Sequence, residues 1–236
     1  FDAAGDTSFL NTGTVTLGNG AADVLTFAGG LNTTGAGTNP GTVNAAGTVN
    51  TTNTRMDIGA VTLTAATTFD TGNEAAGVMN IGAVTSGGNA LTLDSGEAAG
   101  ATINLTSMVA GAGGLTIRDA GGLATIGDVG SAGAGNITIT DSSAGVTFSA
   151  NVDATTFAIN GTTAGQTVTF ANGQDVDITT AFTTANVGYN VTINSATFDA
   201  AGDTSFLNTG TVTLGNGAAD VLTFAGGLNT TGAGTN

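Results

Sequence analysis

The chain has 236 residues, 40 of them glycine, and contains no cysteine, histidine, tryptophan or lysine; two arginines, Arg55 and Arg118, stand against 17 acidic residues, for a net charge of −15. That balance excludes nucleic acid as a partner, because a phosphate backbone is held by clustered cations. The missing side chains exclude disulfides, thiolate or imidazole metal sites, and nucleophilic catalysis built on His or Cys.

With 40% apolar residues, 8% charged residues and a single proline, Pro40, the chain is too hydrophobic and too weakly charged to be disordered. No apolar run approaches the roughly 20 residues of a membrane-spanning helix, so membrane insertion of this segment is not expected. No charged-then-apolar leader opens it, and Phe1-Asp2-Ala3 reads as the interior of a longer chain.

Taken in chain order, the first feature is a repeat: residues 1–39 recur unchanged as residues 198–236, a period of 197 residues. Residues 1–197 therefore form one unit, and 198–236 begin the next on the same continuous rod. Within the unit, apolar-polar-apolar triplets align at a shorter spacing. They are Val15-Thr16-Leu17, Met56-Asp57-Ile58, Met79-Asn80-Ile81, Ile103-Asn104-Leu105, Ala124-Thr125-Ile126, Val146-Thr147-Phe148, Val168-Thr169-Phe170 and Val191-Thr192-Ile193. From Met56 the steps are 23, 24, 21, 22, 22 and 23 residues, with 21 more to the copy of Val15 at position 212. The 41 residues from Val15 to Met56 are close to two further steps, which gives nine coils of about 22 residues per unit.

A second strand signal follows the first in several turns, at Leu91-Thr92-Leu93, Leu115-Thr116-Ile117, Ile137-Thr138-Ile139 and Phe157-Ala158-Ile159. A third inward position, Val61, Val84, Met108 or Val129, falls three residues after the first triplet, as expected where the chain turns a corner. Alternation with period two marks half-buried strands, and Gly-rich pieces such as Gly111-Ala112-Gly113-Gly114 supply turns. An antiparallel sandwich offers no reason for a 22-residue register, whereas a parallel solenoid requires it. The expected fold is an all-β, right-handed parallel β-helix, with the unit ~43 Å long at a strand spacing of ~4.8 Å.

Asp70, Asp94, Asp119 and Asp141 fall at or just after the second strand of successive turns, 24, 25 and 22 residues apart. Stacking brings such carboxylates together, where solvation, raised pKa values or a bound cation such as Ca²⁺ must offset their repulsion. These four are the candidate metal residues. No nonapeptide calcium motif of the Gly-Gly-x-Gly-x-Asp kind accompanies them. Asp175 and Asp177 share a strand face at a spacing that two-carboxylate glycoside chemistry could use, but a solvated strand face explains them more simply. No catalytic or cofactor-binding residue is predicted, and the chain is expected not to be an enzyme. Thr16, Asn80, Asn104, Thr125, Thr147, Thr169 and Thr192 form an outward column whose side chains hydrogen-bond along the axis.

Segments such as Ile81-Gly82-Ala83-Val84-Thr85-Ser86-Gly87-Gly88-Asn89-Ala90-Leu91-Thr92-Leu93 resemble the coils of repetitive bacterial surface proteins of the filamentous haemagglutinin and autotransporter-passenger type. The resemblance implies secretion to the cell surface, a right-handed β-helical shaft, and a role in attachment or in building a filament. It carries over no functional residue. The expected role is a structural component of an extracellular filament, with the shaft of a large adhesin and a surface-layer lattice protein as alternatives. Open solenoid ends also favour head-to-tail self-association, or extension through further repeats.

Overall fold

The computed structural model describes residues 1–35, 37–109, 113–130 and 135–232. It is a parallel β-solenoid of about ten coils, about 23 residues to the coil. All of the strand pairs among the described residues are parallel, and no helix occurs among them. Each coil has three strand faces. In a middle coil, the strand Met79–Thr85 bends from the first face to the second, and Leu91–Asp94 forms the third.

The alternation predicts which side chains enter, and the registers stack them rung on rung. On the first face, Leu31, Met56, Met79, Ile103, Ala124, Val146, Val168, Val191 and Val212 stand over one another. The inward position after the corner becomes the second face: Val15, Val43, Val61, Val84, Met108, Val129, Val152, Val176, Phe198 and Leu222. The third face carries Leu91, Leu115, Ile137, Phe157, Phe182, Thr204 and Leu228. The three columns enclose one hydrophobic core that runs from Val15 to Val212.

One sequence expectation is corrected, and the coil count is made finer. Val15 and Thr16 do not belong to the column of Met56 and Asn80; they pair with Val43 and Asn44 on the second face. The described loop residues 18–23, 33–35 and 37–41 lengthen the path there without adding strands, so 41 residues make five face steps rather than six. Twenty-six face steps, three to a coil, separate Phe1 from Phe198, so the expected count of about nine coils in the 197-residue unit is eight and two-thirds. Of the Gly-rich turn at 111–114, only Gly113 and Gly114 lie among the described residues.

Corners impose the tightest local demands. At Gly47, where the ladder shifts register between Ala45 and Gly47, φ is +74° and a Cβ would sit 2.3 Å from the Asp23 carbonyl oxygen. Only glycine meets both conditions there.

The packing changes character along the axis. Aliphatic side chains predominate up to Val129, with Phe27 and Phe69 buried among them, while Phe148, Phe157, Phe170, Phe182, Phe198 and Phe206 form a continuous interior aromatic column. Phe148 stacks on Phe170 with ring centroids 5.3 Å apart, and Phe157 stacks on Phe182 at 5.4 Å, each pair being successive rungs of one face. Such pairs add about 0.5–1.5 kcal/mol to the burial they share. Tyr189 is fully buried beside this column. Its hydroxyl donates to the Ile159 carbonyl at 2.9 Å and accepts from the Ala185 amide at 3.0 Å. Burial pushes its pKa up to about 12.

Phe157 contacts the rings of Phe148, Phe170 and Phe182. Phe157→Ala therefore opens a cavity in the middle of the column and is expected to cost about 3–5 kcal/mol. Thermal melts followed by circular dichroism should show a large drop in midpoint, and an unchanged midpoint would contradict the packing described.

Candidate functional site

The acidic residues singled out from sequence sit where the third face ends and the chain turns toward the first. Asp70, Asp94 and Asp119 occupy successive rungs, with a bulge before Asp119. The Asp141 amide donates to the Arg118 carbonyl at 3.0 Å, which sets Asp141 on the next rung. The stacking expected of all four is thus present, but their surroundings divide them.

Asp70 and Asp94 open turns of identical design. Asp70 Oδ1 accepts from the Gly72 amide at 2.8 Å and Asp94 Oδ1 from the Gly96 amide at 2.9 Å. The buried hydroxyls of Thr71 and Ser95 close the same loops by donating to the carbonyls of Gly77 and Ala101 at 2.6 and 2.7 Å. The second oxygens of both carboxylates face Arg118. Arg118 Nε donates to Asp94 Oδ2 at 2.5 Å, an Nη of the same guanidinium also touches that oxygen, and an Nη lies 3.8 Å from Asp70 Oδ2.

Asp119 and Asp141 group instead with Glu97, one carboxylate oxygen from each lying within 4.8 Å of the others. Glu97 is held in place by a corner ladder. Asn53 Oδ1 accepts from the Asn73 amide, and Asn73 Oδ1 from the Glu97 amide, both at 2.8 Å. Burial raises the Asp119 pKa, and Asp94, Asp141 and Glu97 raise it further, against the opposing pull of Arg118. Asp70, Asn73, Asp94, Glu97 and Asp119 line one shallow depression. Three oxygen donors of this kind suit a hard divalent cation, although Ca²⁺ takes six to eight ligands and water would have to supply the rest.

Glu97 and Arg118 were not among the residues chosen from sequence. A signal for Arg118 existed, since the position one 24-residue coil before it is Asp94. Glu97 lies in a loop, where alternation says nothing about direction.

A second acidic ladder lies on the outside of the second face, where Asp153, Asp177 and Asp199 occupy consecutive rungs. Burial and the charges of Asp177, Asp128 and Asp175 raise the Asp153 pKa. Asp175 and Asp177 are exposed on this face, and Asp175 Oδ1 accepts from Thr197 Oγ1 at 2.7 Å, so the pair is part of a solvated strand surface. The expected polar column on the first face is present without Thr16: Asn80 Nδ2 donates to Asp57 Oδ1 at 2.7 Å, and Asn104 Nδ2 to Asn80 Oδ1 at 2.9 Å.

The fold and these surfaces define a parallel β-solenoid with acidic and amide ladders on its exterior. No helix among the described residues is long and apolar enough to cross a membrane. Comparison with protein-family models, curated proteins and solved structures finds no match.

The raised carboxyls fix the sign of an acid response. A group whose folded pKa lies above its unfolded value contributes stability that is complete below the unfolded value and is lost as pH rises through the folded one. For Asp119 and Asp153 that unfolded value is 3.8. The melting midpoint is accordingly expected to rise as pH is lowered from 7 toward 4. Asp119→Asn should raise the midpoint at pH 7 and shrink that gain, while Arg118→Gln, which strips Asp70 and Asp94 of their counter-charge, should lower it. A midpoint at pH 7 that is indifferent to both substitutions would show that the ladder carries no net repulsion.

Proposed function

We propose that this chain is a shaft segment of an extracellular bacterial surface filament, structural rather than catalytic, built from tandem β-solenoid repeats. The observation that carries the reading is the unbroken three-face ladder. Every rung from Thr7 and Leu31 to Ser205 and Asn229 is paired, and the connecting loops stay short enough that no domain interrupts the stack. A solenoid of this kind transmits load through backbone ladders and coil-on-coil burial along its length.

The exterior supports the same reading. Acidic ladders on more than one side give neighbouring rods like charge, which favours separate, soluble fibres over lateral collapse. The unchanged sequence of residues 1–39 and 198–236 suits a spacer, in which copies need only continue the stack. Partners under this proposal are further repeats of the same chain, joined in sequence or end to end. The shaft of a large adhesin is the second reading, since a binding tip on such a shaft would be a separate domain.

Electron microscopy of the native material tests the proposal. Long fibres with a ~4.8 Å layer line along the fibre axis are expected. A planar lattice would move the assignment to a surface-layer protein, and isolated rods attached to cells would favour the adhesin shaft.

A further inference from the structure

The two copies of the repeated segment do not occupy equivalent places around the solenoid. In the first copy, Val15 and Thr16 lie on the second face against Val43 and Asn44, and Leu31 and Asn32 lie on the first face against Met56 and Asp57. In the second copy, the same residues are Val212 and Thr213 on the first face, against Val191 and Thr192, and Leu228 and Asn229 on the third, against Thr204 and Ser205. Phe1 follows the same rule, lying on the third face while its copy Phe198 lies on the second. Every paired position in the copy is displaced by one face in the same direction.

Local structure is nevertheless conserved between the copies. The loop after the displaced strand is closed in the same way in each: Asp23 Oδ2 accepts from the amides of Asn19 and Gly20 at 2.7 and 3.0 Å, and Asp220 Oδ2 from those of Asn216 and Gly217 at 2.7 and 2.8 Å. The left-handed corner glycines match as well, with φ of +80° and +76° at Gly18 and Gly215, and +122° and +108° at Gly30 and Gly227. One loop links the second face to the third, and its twin links the first to the second. Sequence sets the strand and the corner, and the count of corners sets the face.

We propose that the 197-residue repeat acts as a screw element: in a tandem array, each copy is turned one third of a revolution from the copy before it. Eight and two-thirds coils per copy give this turn directly. Any lateral feature, the carboxylate cluster of Glu97, Asp119 and Asp141 included, then points in three directions along the rod and returns to the same side only at every third copy, after ~125 Å at a strand spacing of ~4.8 Å. A neighbouring rod lying alongside meets the same surface at one copy in three, so the repeat disfavours sheets of laterally matched rods and displays its surface all round. The proposal rests on the filament reading for its tandem context, but the displacement itself belongs to this chain.

The chain has no native cysteine, so paired substitutions at outward positions read the displacement in solution. Adjacent rungs lie within the Cα separation of about 4.4–6.8 Å that a disulfide spans. Oxidation should cross-link N32C/D57C and T192C/T213C, which sets two different positions of the repeat, Asn32 and Thr213, in the same first-face column. Without the displacement Asn32 would lie on the third face, as its copy Asn229 does, and N32C/D57C would stay reduced. T16C/N44C and S205C/N229C report the local pairing at each end. Each variant is scored with the β-sheet circular dichroism of the parent. Failure of N32C/D57C, or failure of T192C/T213C together with S205C/N229C, would overturn the screw. None of these measurements needs a fibre: cross-links as expected with non-fibrous native material would remove the filament reading and leave the displacement standing, and fibres with N32C/D57C left reduced would do the reverse.

Discussion

Everything in this molecule depends on one constraint: an inward side chain must stand directly over another inward side chain ~4.8 Å away, coil after coil. The interior is therefore a set of columns, in which like side chains follow one another over stretches such as the aliphatic run from Met56 to Ile103 or the stacked rings of Phe148 and Phe170, and the kind changes where Ile126 meets Phe148 and Ile137 meets Phe157. Polar groups that enter the stack can tie coils together. Thr184 Oγ1 donates to Asn208 Oδ1 at 3.1 Å, and Asn208 Nδ2 donates to the Tyr189 carbonyl at 3.0 Å, so the buried amide links two coils rather than interrupting them.

The same constraint acts on the outside, with a different consequence. Residues that alternate outward are also stacked on their counterparts, so a carboxylate that recurs at the coil period meets another carboxylate. Asp70 and Asp94 lie one rung apart with Arg118 between their outer oxygens, while Glu97, Asp119 and Asp141 face one another. The solenoid thus converts a sequence period into local electrostatics. An amide at such a position turns the liability into a bond, as Asn80 and Asn104 do. Since the chain carries only two arginines and no lysine, most of its acidic surface is left to solvent.

The coil architecture was legible because the constraint writes itself into sequence: Met79, Ile103 and Ala124 recur at nearly one interval, and Val84, Met108 and Val129 mark the corner after them. The face on which Val15 stands was not legible. Val15-Thr16-Leu17 satisfies any of the three faces equally, and its assignment depends on how many face steps separate it from Met56, which alternation does not count. The acidic site was legible as far as its backbone positions allowed. Asp70, Asp94, Asp119 and Asp141 do stack, but which of them are neutralised depends on the reach of Arg118 across two rungs and on Glu97 in a loop, and neither follows from alternation. The aromatic column was hidden for a related reason, since Phe157 and Phe170 meet across faces at a ring separation of 5.2 Å that no single strand pattern encodes.

The claim at the centre of this account is that a segment takes its stability from the coils above and below it rather than from its own sequence. Hydrogen exchange with mass spectrometry tests this directly, because proteolytic peptides from residues 14–32 and 211–229 are chemically identical. The first copy is overlaid by the strand Thr42–Thr51, whereas the second is paired beneath, on residues 191–205. The account predicts two isotope envelopes for the shared peptide, one slow and one fast, with interior peptides from 79–193 slowest of all. A single envelope, exchanging at one rate with the rest of the chain, would contradict it.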